Sequence, residues 1–303
     1  MNNPGCGLPS VGFIGLGNMG SPMSARLAAA GYRVTGFDLD PGARARLADA
    51  GGTAVESAAD ATLGADVVIL MLPNSAVVEA VLAEPEMKQA LAPGTTIVDM
   101  SSSDPLSTRR LAGELAAVSV ILVDAPVSGG VKGAQTGKLT IMAGGPESAV
   151  AQIGPLLAHL GRARRAGEVG AGHALKAINN LLSATHLLAT AEGVLAGERF
   201  GLEPGLMVEL INSSSGRSGS TDNKYPNFIL PETFDSGFGL RLMLKDMKIA
   251  TDLARQLGFS SRLGEQAVAL WEQAAQDLPP AADHTEIARW TAAAARAGQE
   301  QGE

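Results

Sequence analysis

The stretch VGFIGLGNMGSPMSARLAAAGY, residues 11–32, decides the fold of this chain. It begins as an apolar run typical of a buried strand, passes through Gly15, Gly17 and Gly20, and continues with apolar residues at helical spacing. Glycine inside a helix or strand is destabilising, so three glycines at one turn need a reason. In a Gly-x-Gly-x-x-Gly turn, the first glycine permits the tight turn, the second lets a pyrophosphate approach the backbone, and the third packs the helix against the strand. The stretch therefore predicts a dinucleotide site, the alternative being a glycine-rich turn without a ligand.

The end of the next strand-like run, residues 33–38, indicates which dinucleotide is bound. Asp38 closes this run about 20 residues after the glycine turn, where a carboxylate accepts hydrogen bonds from the adenosine ribose hydroxyls. The same carboxylate repels a 2′-phosphate. Leu39 follows it, and no arginine stands beside it to bind that phosphate. We therefore predict NAD as the cofactor in preference to NADP.

Composition and charge limit the partners and the compartment. The 303 residues suffice for one large or two moderate domains, and a net charge of −8 without a Lys/Arg block argues against nucleic acid or an anionic membrane as partner. Cys6 is the single cysteine, which excludes an intramolecular disulfide and fits a reducing compartment. The first ten residues lack the basic and apolar regions of a secretion signal, and apolar runs such as residues 67–72 are too short to span a bilayer. We expect a cytoplasmic protein.

The pattern along the chain predicts two domains. Short apolar runs at residues 11–16, 33–38, 67–72, 95–100, 120–127 and 139–145 read as strands, and stretches such as residues 21–30 and 105–117 read as helices between them. The segment SSSDP at residues 101–105 predicts a helix start with a Ser or Asp cap. Apolar strands that alternate with helices indicate a parallel sheet covered on both faces.

After about Gly172 only long Ala/Leu-rich helical patterns follow, ending in a polar tail. The predicted fold is an α/β Rossmann-type dinucleotide-binding domain followed by an all-α helical domain. The predicted organisation is a flexible tail over residues 1–9, the NAD-binding domain over 10–172, the helical substrate and oligomerisation domain over 173–296, and a flexible tail over 297–303.

A polar stripe crosses the first long helix of the second half. Lys176, Asn179, Asn180 and Ser183 stand at i, i+3, i+4 and i+7 and so share one face. One interpretation is an ammonium donor with an amide one turn further on, both directed at a single substrate oxygen. The other is a solvated helix face. The spacing alone favours neither.

Four motifs, in order, resemble those of the β-hydroxyacid dehydrogenase family, and together they span residues 11–290. They are the glycine turn GFIGLGNMGSPM, DAPVSGG at residues 124–130, GAGHALKAINN at residues 170–180 and FGLRLMLKD at residues 238–246. The family includes 3-hydroxyisobutyrate dehydrogenase and tartronate semialdehyde reductase. One departure is SSSDP, where the family often has Ser-Thr, but Ser102 keeps the hydroxyl.

The resemblance implies roles for individual residues. Lys176 corresponds to the general acid or base at the reacting oxygen, and Asn180 to the amide that helps position it. The substrate is implied to contact Ser128, Gly129, Gly130, Asn179 and Asp246. The cofactor is implied to contact Gly15, Gly17, Asn18, Met19, Gly20, Asp38, Leu72, Pro73, Val77, Ser102 and Lys245.

The resemblance also implies the reaction and leaves alternatives. It predicts NAD-dependent oxidation of a short β-hydroxy acid such as 3-hydroxyisobutyrate, or the reverse reduction, in a homodimer or homotetramer. Tartronate semialdehyde reductase or another 3-hydroxy acid dehydrogenase remains an alternative. A further enzyme alternative is 6-phosphogluconate dehydrogenase or imine reductase, which share this architecture. A non-catalytic dinucleotide-binding scaffold is the alternative of a different class, disfavoured because Lys176 and Asn180 are both present.

Several other polar residues carry weaker predictions. Arg217 and Asn223 lie in a Ser/Gly-rich break at residues 211–226, where they either meet the distal end of the substrate or are ordinary loop residues. The four histidines have no ligand spacing, so we expect no metal site, and His173 is interpreted as a bystander beside Lys176. Asp283 and Glu286 have capping-box spacing and predict a helix start.

Overall fold

A computed structural model describes residues 7–300 of the chain. The chain divides into two compact units, Met1–Lys176 and Ala177–Glu303. This division falls inside one helix, Ala171–Phe200, which also contains the domain boundary predicted after residue 172. Cys6 and most of the predicted N-terminal tail lie outside the described residues, as do residues 301–303.

The first unit is built on a nine-stranded sheet, which confirms the α/β prediction. Its strands are β1 Val11–Ile14, β2 Val34–Phe37, β3 Thr53–Ala54, β4 Val67–Leu70, β5 Thr96–Asp99, β6 Ile121–Asp124, β7 Val127–Ser128, β8 Leu139–Gly144 and β9 Gly161–Gly167. The strand order is β3-β2-β1-β4-β5-β6-β8-β7, with β9 paired to β8. The first six strands in this order, β3-β2-β1-β4-β5-β6, are all parallel to one another.

The sheet departs from the predicted parallel arrangement at β8. This strand runs antiparallel to both β6 and β7. Only the short helix α7 (Gly130–Thr136) separates β7 from β8, and a parallel pairing needs a crossover of about a dozen residues or more. The predicted strand at residues 120–127 is also divided, because β6 ends at Asp124 and β7 begins at Val127.

Helices cover both faces of the sheet, as predicted. Val67 and Ile69 of β4 belong to one buried cluster, and Val68 and Leu70 belong to another on the opposite face. The remaining helices of this unit are α1 Gly20–Ala29, α2 Pro41–Asp49, α3 Ala58–Thr62, α4 Ser75–Ala83, α5 Pro85–Ala90, α6 Pro105–Ala116 and α8 Glu147–Ala158.

The start of α6 confirms the prediction for SSSDP. Asp104 is the N-cap, its carboxylate accepts from the N–H groups of Leu106 and Ser107, and Pro105 occupies the first turn. Carboxylate capping of this kind satisfies N–H groups that the helix itself leaves without partners.

The second unit is helical, as predicted, and its described residues contain no strand. It comprises the C-terminal part of α9 (Ala171–Phe200), then α10 Pro204–Asn212, a π-helix Ser220–Ile229, α11 Leu240–Gln256, α12 Arg262–Asp277, a 3-10 turn His284–Glu286 and α13 Ile287–Glu300. Its core packs around the fully buried Trp271 and Met247. No helix in residues 7–300 combines the length and hydropathy that a bilayer crossing requires.

The prediction of a break over residues 211–226 is wrong for its second half. The chain resumes a helical path at Ser220 and holds it through Pro226. Proline lacks an N–H group and normally interrupts an α-helix. Here the local hydrogen bonds join residues five apart, as from the Leu230 N–H to the Tyr225 carbonyl, and the proline is accommodated. The 3-10 turn confirms the helix start predicted at Asp283, whose carboxylate accepts from the Thr285 N–H.

Candidate active site

The three glycines of the β1–α1 turn have different surroundings. A Cβ on Gly15, whose φ is +96°, would lie 2.3 Å from the Met71 carbonyl oxygen, and a Cβ on Gly20 would lie 1.9 Å from the Gly15 carbonyl oxygen. Both positions therefore require glycine for packing. A Cβ on Gly17 would meet no atom within 4 Å. Glycine at this position leaves open space beside the backbone at the start of α1.

The open space at Gly17 fits a phosphate group. The α1 N-cap, Met19, supplies no side-chain hydrogen bond, and the first turn of α1 contains no acidic residue. The N–H groups at the helix start are therefore directed toward a region where an anion is favoured by the helix dipole. Asn18 is exposed in the same turn.

Asp38 follows β2 and is held by two backbone groups. The Leu16 N–H donates to its Oδ2 at 2.6 Å and the Asp40 N–H donates to its Oδ1 at 2.8 Å. These bonds fix the carboxylate at the end of the strand that neighbours β1. Leu39 beside it is 86% exposed.

The inference that no arginine lies near Asp38 is wrong. Arg44, in α2, donates from Nη1 to the Asp38 carbonyl oxygen at 2.9 Å. Its Nη2 pairs with Glu56 at 2.7 Å. The sequence hides this contact because a helical turn folds Arg44 back onto the strand end, six positions after Asp38. The charge of Arg44 is already engaged by Glu56.

The other predicted cofactor residues of this unit follow parallel strands that end at one edge of the sheet. Ile14 of β1 is in register with Leu70 of β4, and Leu70 with Asp99 of β5. Segments that follow paired parallel strands meet at the same edge, where ligands bind in open α/β sheets. The residues carried by these segments are Leu72, Pro73, Val77 and Ser102.

The segment predicted to bind a carboxylate has an unusual backbone. Ser128 is half-buried at the end of β7, and Gly129 and Gly130 follow with φ values of +130° and +61°. Both values lie in the region that favours glycine. Consecutive N–H groups in such conformations form concave anion sites.

A buried aspartate that sequence reasoning missed fixes the start of α9. Asp124 ends β6 and accepts hydrogen bonds from the N–H groups of Gly170 at 2.7 Å and His173 at 2.8 Å. A Cβ on Gly144 would lie 2.5 Å from its Oδ1, so glycine is needed beside it. Burial raises the pKa of the Asp124 carboxyl, although His173 and the two N–H groups act in the opposite direction. The signal in the sequence was the position of Asp124, a charged residue at the end of an apolar strand.

His173 is a structural part of this anchor. Its ring is buried, with Nδ1 2.8 Å from the Thr108 Oγ1 and Nε2 3.7 Å from the Asp99 Oδ2. The side chain thus links α9 to α6 and to the end of β5. Lys176 stands one turn further along α9 and is 7% exposed. The helix that carries Lys176 is therefore held to the sheet edge by its first turn.

In the second unit, Asn180 is buried and oriented by a carboxylate. Its Nδ2 donates to the Oδ2 of Asp246 at 2.6 Å, and its Oδ1 accepts from the Nδ2 of Asn179 at 3.1 Å. Asp246 is 1% exposed, and its Oδ1 lies 3.4 Å from the Lys245 ammonium. The solvated-face interpretation therefore does not hold for Asn180, whereas Asn179 is exposed.

The two polar residues of the segment after α10 have partners close by in sequence. Arg217 forms a bidentate pair with Asp222, with both oxygens 3.1 Å from Nη2. The Asn223 side chain accepts from Asn227 at 2.9 Å. Within residues 7–300, no group of three or more His, Cys, Asp or Glu side chains is arranged to hold a metal ion.

Two family models together match almost the whole chain. The NAD-binding domain of 6-phosphogluconate dehydrogenase matches residues 10–172. The NAD-binding domain of NADP-dependent 3-hydroxyisobutyrate dehydrogenase matches residues 170–291. The second match covers the region in which the helical domain was predicted.

Individual relatives agree with these matches. The 2-(hydroxymethyl)glutarate dehydrogenase of Eubacterium barkeri is 40% identical over 248 residues, 81% of this chain and 82% of the relative. The mitochondrial 3-hydroxyisobutyrate dehydrogenase of Bos taurus is 40% identical over 265 residues, 85% of this chain and 79% of the relative.

A solved structure extends the likeness to three dimensions. The 3-hydroxyisobutyrate dehydrogenase of Mycobacterium tuberculosis, solved with L-serine, matches with a TM-score of 0.88 and 33% identity over 93% of this chain and 99% of that one. The order of the four motifs, the sheet with its glycine turn, and these matches agree. The chain belongs to the β-hydroxyacid dehydrogenase family of NAD-binding oxidoreductases.

Proposed function

We propose that this protein catalyses the reversible oxidation of a short β-hydroxy acid to its semialdehyde, with Lys176 as general acid and base. The observation that supports this proposal is the pair of buried side chains, Lys176 and Asn180, one turn apart on α9. Burial of an ammonium or an amide is costly unless the group is hydrogen-bonded, and a substrate oxygen is one partner that suits both groups. The substrates to test first are 3-hydroxyisobutyrate and, from the named activity of the Eubacterium relative, 2-(hydroxymethyl)glutarate.

The reaction needs a proton to be moved at one oxygen. Bound NAD would supply the hydride acceptor for the hydroxyl-bearing carbon. The neutral Lys176 amine takes the hydroxyl proton during oxidation and becomes an ammonium. The ammonium gives this proton back during reduction, when negative charge develops on the carbonyl oxygen. The Asn180 amide, held by Asp246, donates to the same oxygen and fixes its position.

The remaining roles follow the family pattern residue by residue. Backbone N–H groups of Gly129 and Gly130 and the Ser128 hydroxyl bind the substrate carboxylate, with Asn179 near the substrate. Gly15, Gly17 and Gly20 accommodate the pyrophosphate at the start of α1. The residues that border the rest of the dinucleotide are Asn18, Met19, Leu72, Pro73, Val77, Ser102 and Lys245.

A coenzyme reduction assay tests this function. Purified protein with NAD and each hydroxy acid should show growing absorbance of the reduced nicotinamide. The reverse reaction should consume it with the matching semialdehyde. Binding of NAD without turnover of any short β-hydroxy acid would instead support the dinucleotide-binding scaffold.

Replacing Asp38 should change the cofactor preference. Asp38→Ala removes the hydrogen-bond acceptor for the ribose hydroxyls and the charge that repels a 2′-phosphate, so NAD affinity should fall about tenfold or more. NADP affinity should rise, because Arg44 lies at the same strand end. Calorimetric dissociation constants for both cofactors measure the effect.

Two further variants control this experiment. Asp40→Ala removes an exposed carboxylate two residues away and should leave the preference unchanged. Adding Arg44→Ala to Asp38→Ala should abolish the gain in NADP affinity. An unchanged ratio of the two affinities in Asp38→Ala would refute our account of cofactor choice.

We further propose that the protein acts in the cytoplasm as a homodimer or homotetramer. The acidic charge and the single cysteine support the compartment. The family resemblance supports the proposed assembly. Light scattering of the purified protein measures its mass in solution.

A further inference from the structure

A buried lysine in the second unit has no role in the mechanism above. Lys224 belongs to the π-helix, is 9% exposed, and its Nζ donates to the Ser183 Oγ at 2.7 Å. Ser183 stands on α9 three residues after Asn180, on the same polar stripe. The Lys224 ammonium therefore lies about 4.5 Å further along the helix axis than Asn180, given a rise of about 1.5 Å per residue.

No carboxylate in the described part of the chain neutralises Lys224 by a salt bridge. Asp283 attracts it electrostatically, but the Asp283 carboxylate accepts hydrogen bonds from the Ser236 hydroxyl, the Gly237 N–H and the Thr285 N–H. Asp246 is engaged with Asn180. The charge of Lys224 is therefore buried without a close anion.

The ammonium also has donor capacity to spare. A lysine carries three N–H donors, and the contacts of Lys224 are with one residue, the Ser183 hydroxyl and its carbonyl oxygen at 3.4 Å. Burial lowers the pKa of Lys224 to about 8, which leaves the group mostly protonated at neutral pH. A neutral side chain of similar length would bridge the helices without burying a charge.

We infer that Lys224 binds a second anionic group of the substrate, so that the preferred substrate is a β-hydroxy acid with an additional carboxylate. This inference rests on the proposed function, which places the reacting oxygen at Lys176 and Asn180. A side arm of two methylene groups suits the axial separation between Asn180 and Ser183. The second carboxylate supplies a negative charge within salt-bridge distance of Lys224, which no acidic side chain among residues 7–300 provides.

Binding of an unreactive dicarboxylate tests the inference independently of turnover. Glutarate should bind the NAD-loaded wild-type protein at least about tenfold more tightly than butyrate, and Lys224→Met should remove that difference. Lys224→Arg, which keeps the charge, should retain part of it. Lys248→Met, which removes an exposed lysine paired with Glu272 in the same unit, should behave like the wild type.

Turnover and stability complete the test. With 2-(hydroxymethyl)glutarate, Lys224→Met should lower kcat/KM about 10- to 100-fold, mainly through KM, and should change kcat/KM for 3-hydroxyisobutyrate by less than about twofold. Its melting temperature without ligand should equal or exceed that of the wild type, because an uncompensated buried charge is removed.

The outcomes separate the two proposals. Equal glutarate binding by wild type and Lys224→Met, or an equal loss with both substrates together with a lower melting temperature, would show a structural role and overturn the inference. Lys224-dependent glutarate binding without turnover of any hydroxy acid would uphold the inference and refute the proposed dehydrogenase activity.

Discussion

Lys176→Met should lower kcat by about 10²–10⁴-fold while leaving the NAD dissociation constant within about twofold of wild type. Methionine keeps the apolar stem in its buried position and removes the ammonium group that carries the proton. Without it, the alkoxide that forms during reduction is protonated only by water, and Asn180 still positions the oxygen. Stopped-flow measurement of coenzyme reduction, with calorimetry for NAD, separates the two effects.

A surface lysine provides the matched control for this variant. Lys88→Met, in α5, removes one exposed charge and should leave both kcat and NAD affinity unchanged. Turnover by Lys176→Met near the wild-type rate would contradict its assignment as general acid and base. A loss of NAD affinity as large as the loss of turnover would place Lys176 at the cofactor instead.

Alanine at Gly20 should lower the stability of the protein, whereas alanine at Gly17 should lower its affinity for NAD. A Cβ on Gly20 would lie 1.9 Å from the Gly15 carbonyl oxygen, so α1 must move away from the end of β1. Overpacking of this kind costs about 1–3 kcal/mol and occasionally more. Gly20→Ala should therefore lower the melting temperature by roughly 4–10 °C.

Gly17→Ala should fold with an unchanged melting temperature. Its Cβ meets no protein atom within 4 Å, but the methyl group occupies the space that we assign to the pyrophosphate. NAD affinity should fall about tenfold or more, measured by calorimetry and by loss of the thermal stabilisation that NAD gives the wild type. Tight NAD binding by Gly17→Ala would contradict our assignment of the pyrophosphate to this turn.

Local patterns in the sequence were enough for the elements that position the candidate site. The glycine turn, the apolar strands and the Asp104 cap are each encoded within a few neighbouring residues, and the structure confirms them. The strand β9 was missed because its sequence, GRARRAG, is charged and mostly exposed at the end of the sheet, without the alternation that marks a half-buried strand. The antiparallel direction of β8 follows from the short connection that precedes it. Hydrophobic patterns do not indicate strand direction.

The contacts that orient the site lie between residues far apart in the chain. Asp124 and His173 are 49 positions apart, and Ser183 and Lys224 are 41 positions apart. Nothing in the neighbourhood of either residue indicates its partner, because the sheet register and helix packing bring them together. The contact of Arg44 with the Asp38 carbonyl oxygen is equally hidden in the sequence, although the two residues are only six positions apart. The turn into α2 brings the guanidinium close to that oxygen.

Arg44 donates to the Asp38 carbonyl oxygen and pairs with the Glu56 carboxylate. These contacts affect how easily a descendant of this protein can change from NAD to NADP. The Arg44 guanidinium already stands at the strand end, paired with Glu56, whose side chain is largely open to solvent. Lineages or laboratory selections that lose the Asp38 carboxylate thus begin with a cationic ligand in place. We therefore expect the loss of this one charge to shift usage toward the phosphorylated coenzyme without an insertion or a remodelled loop.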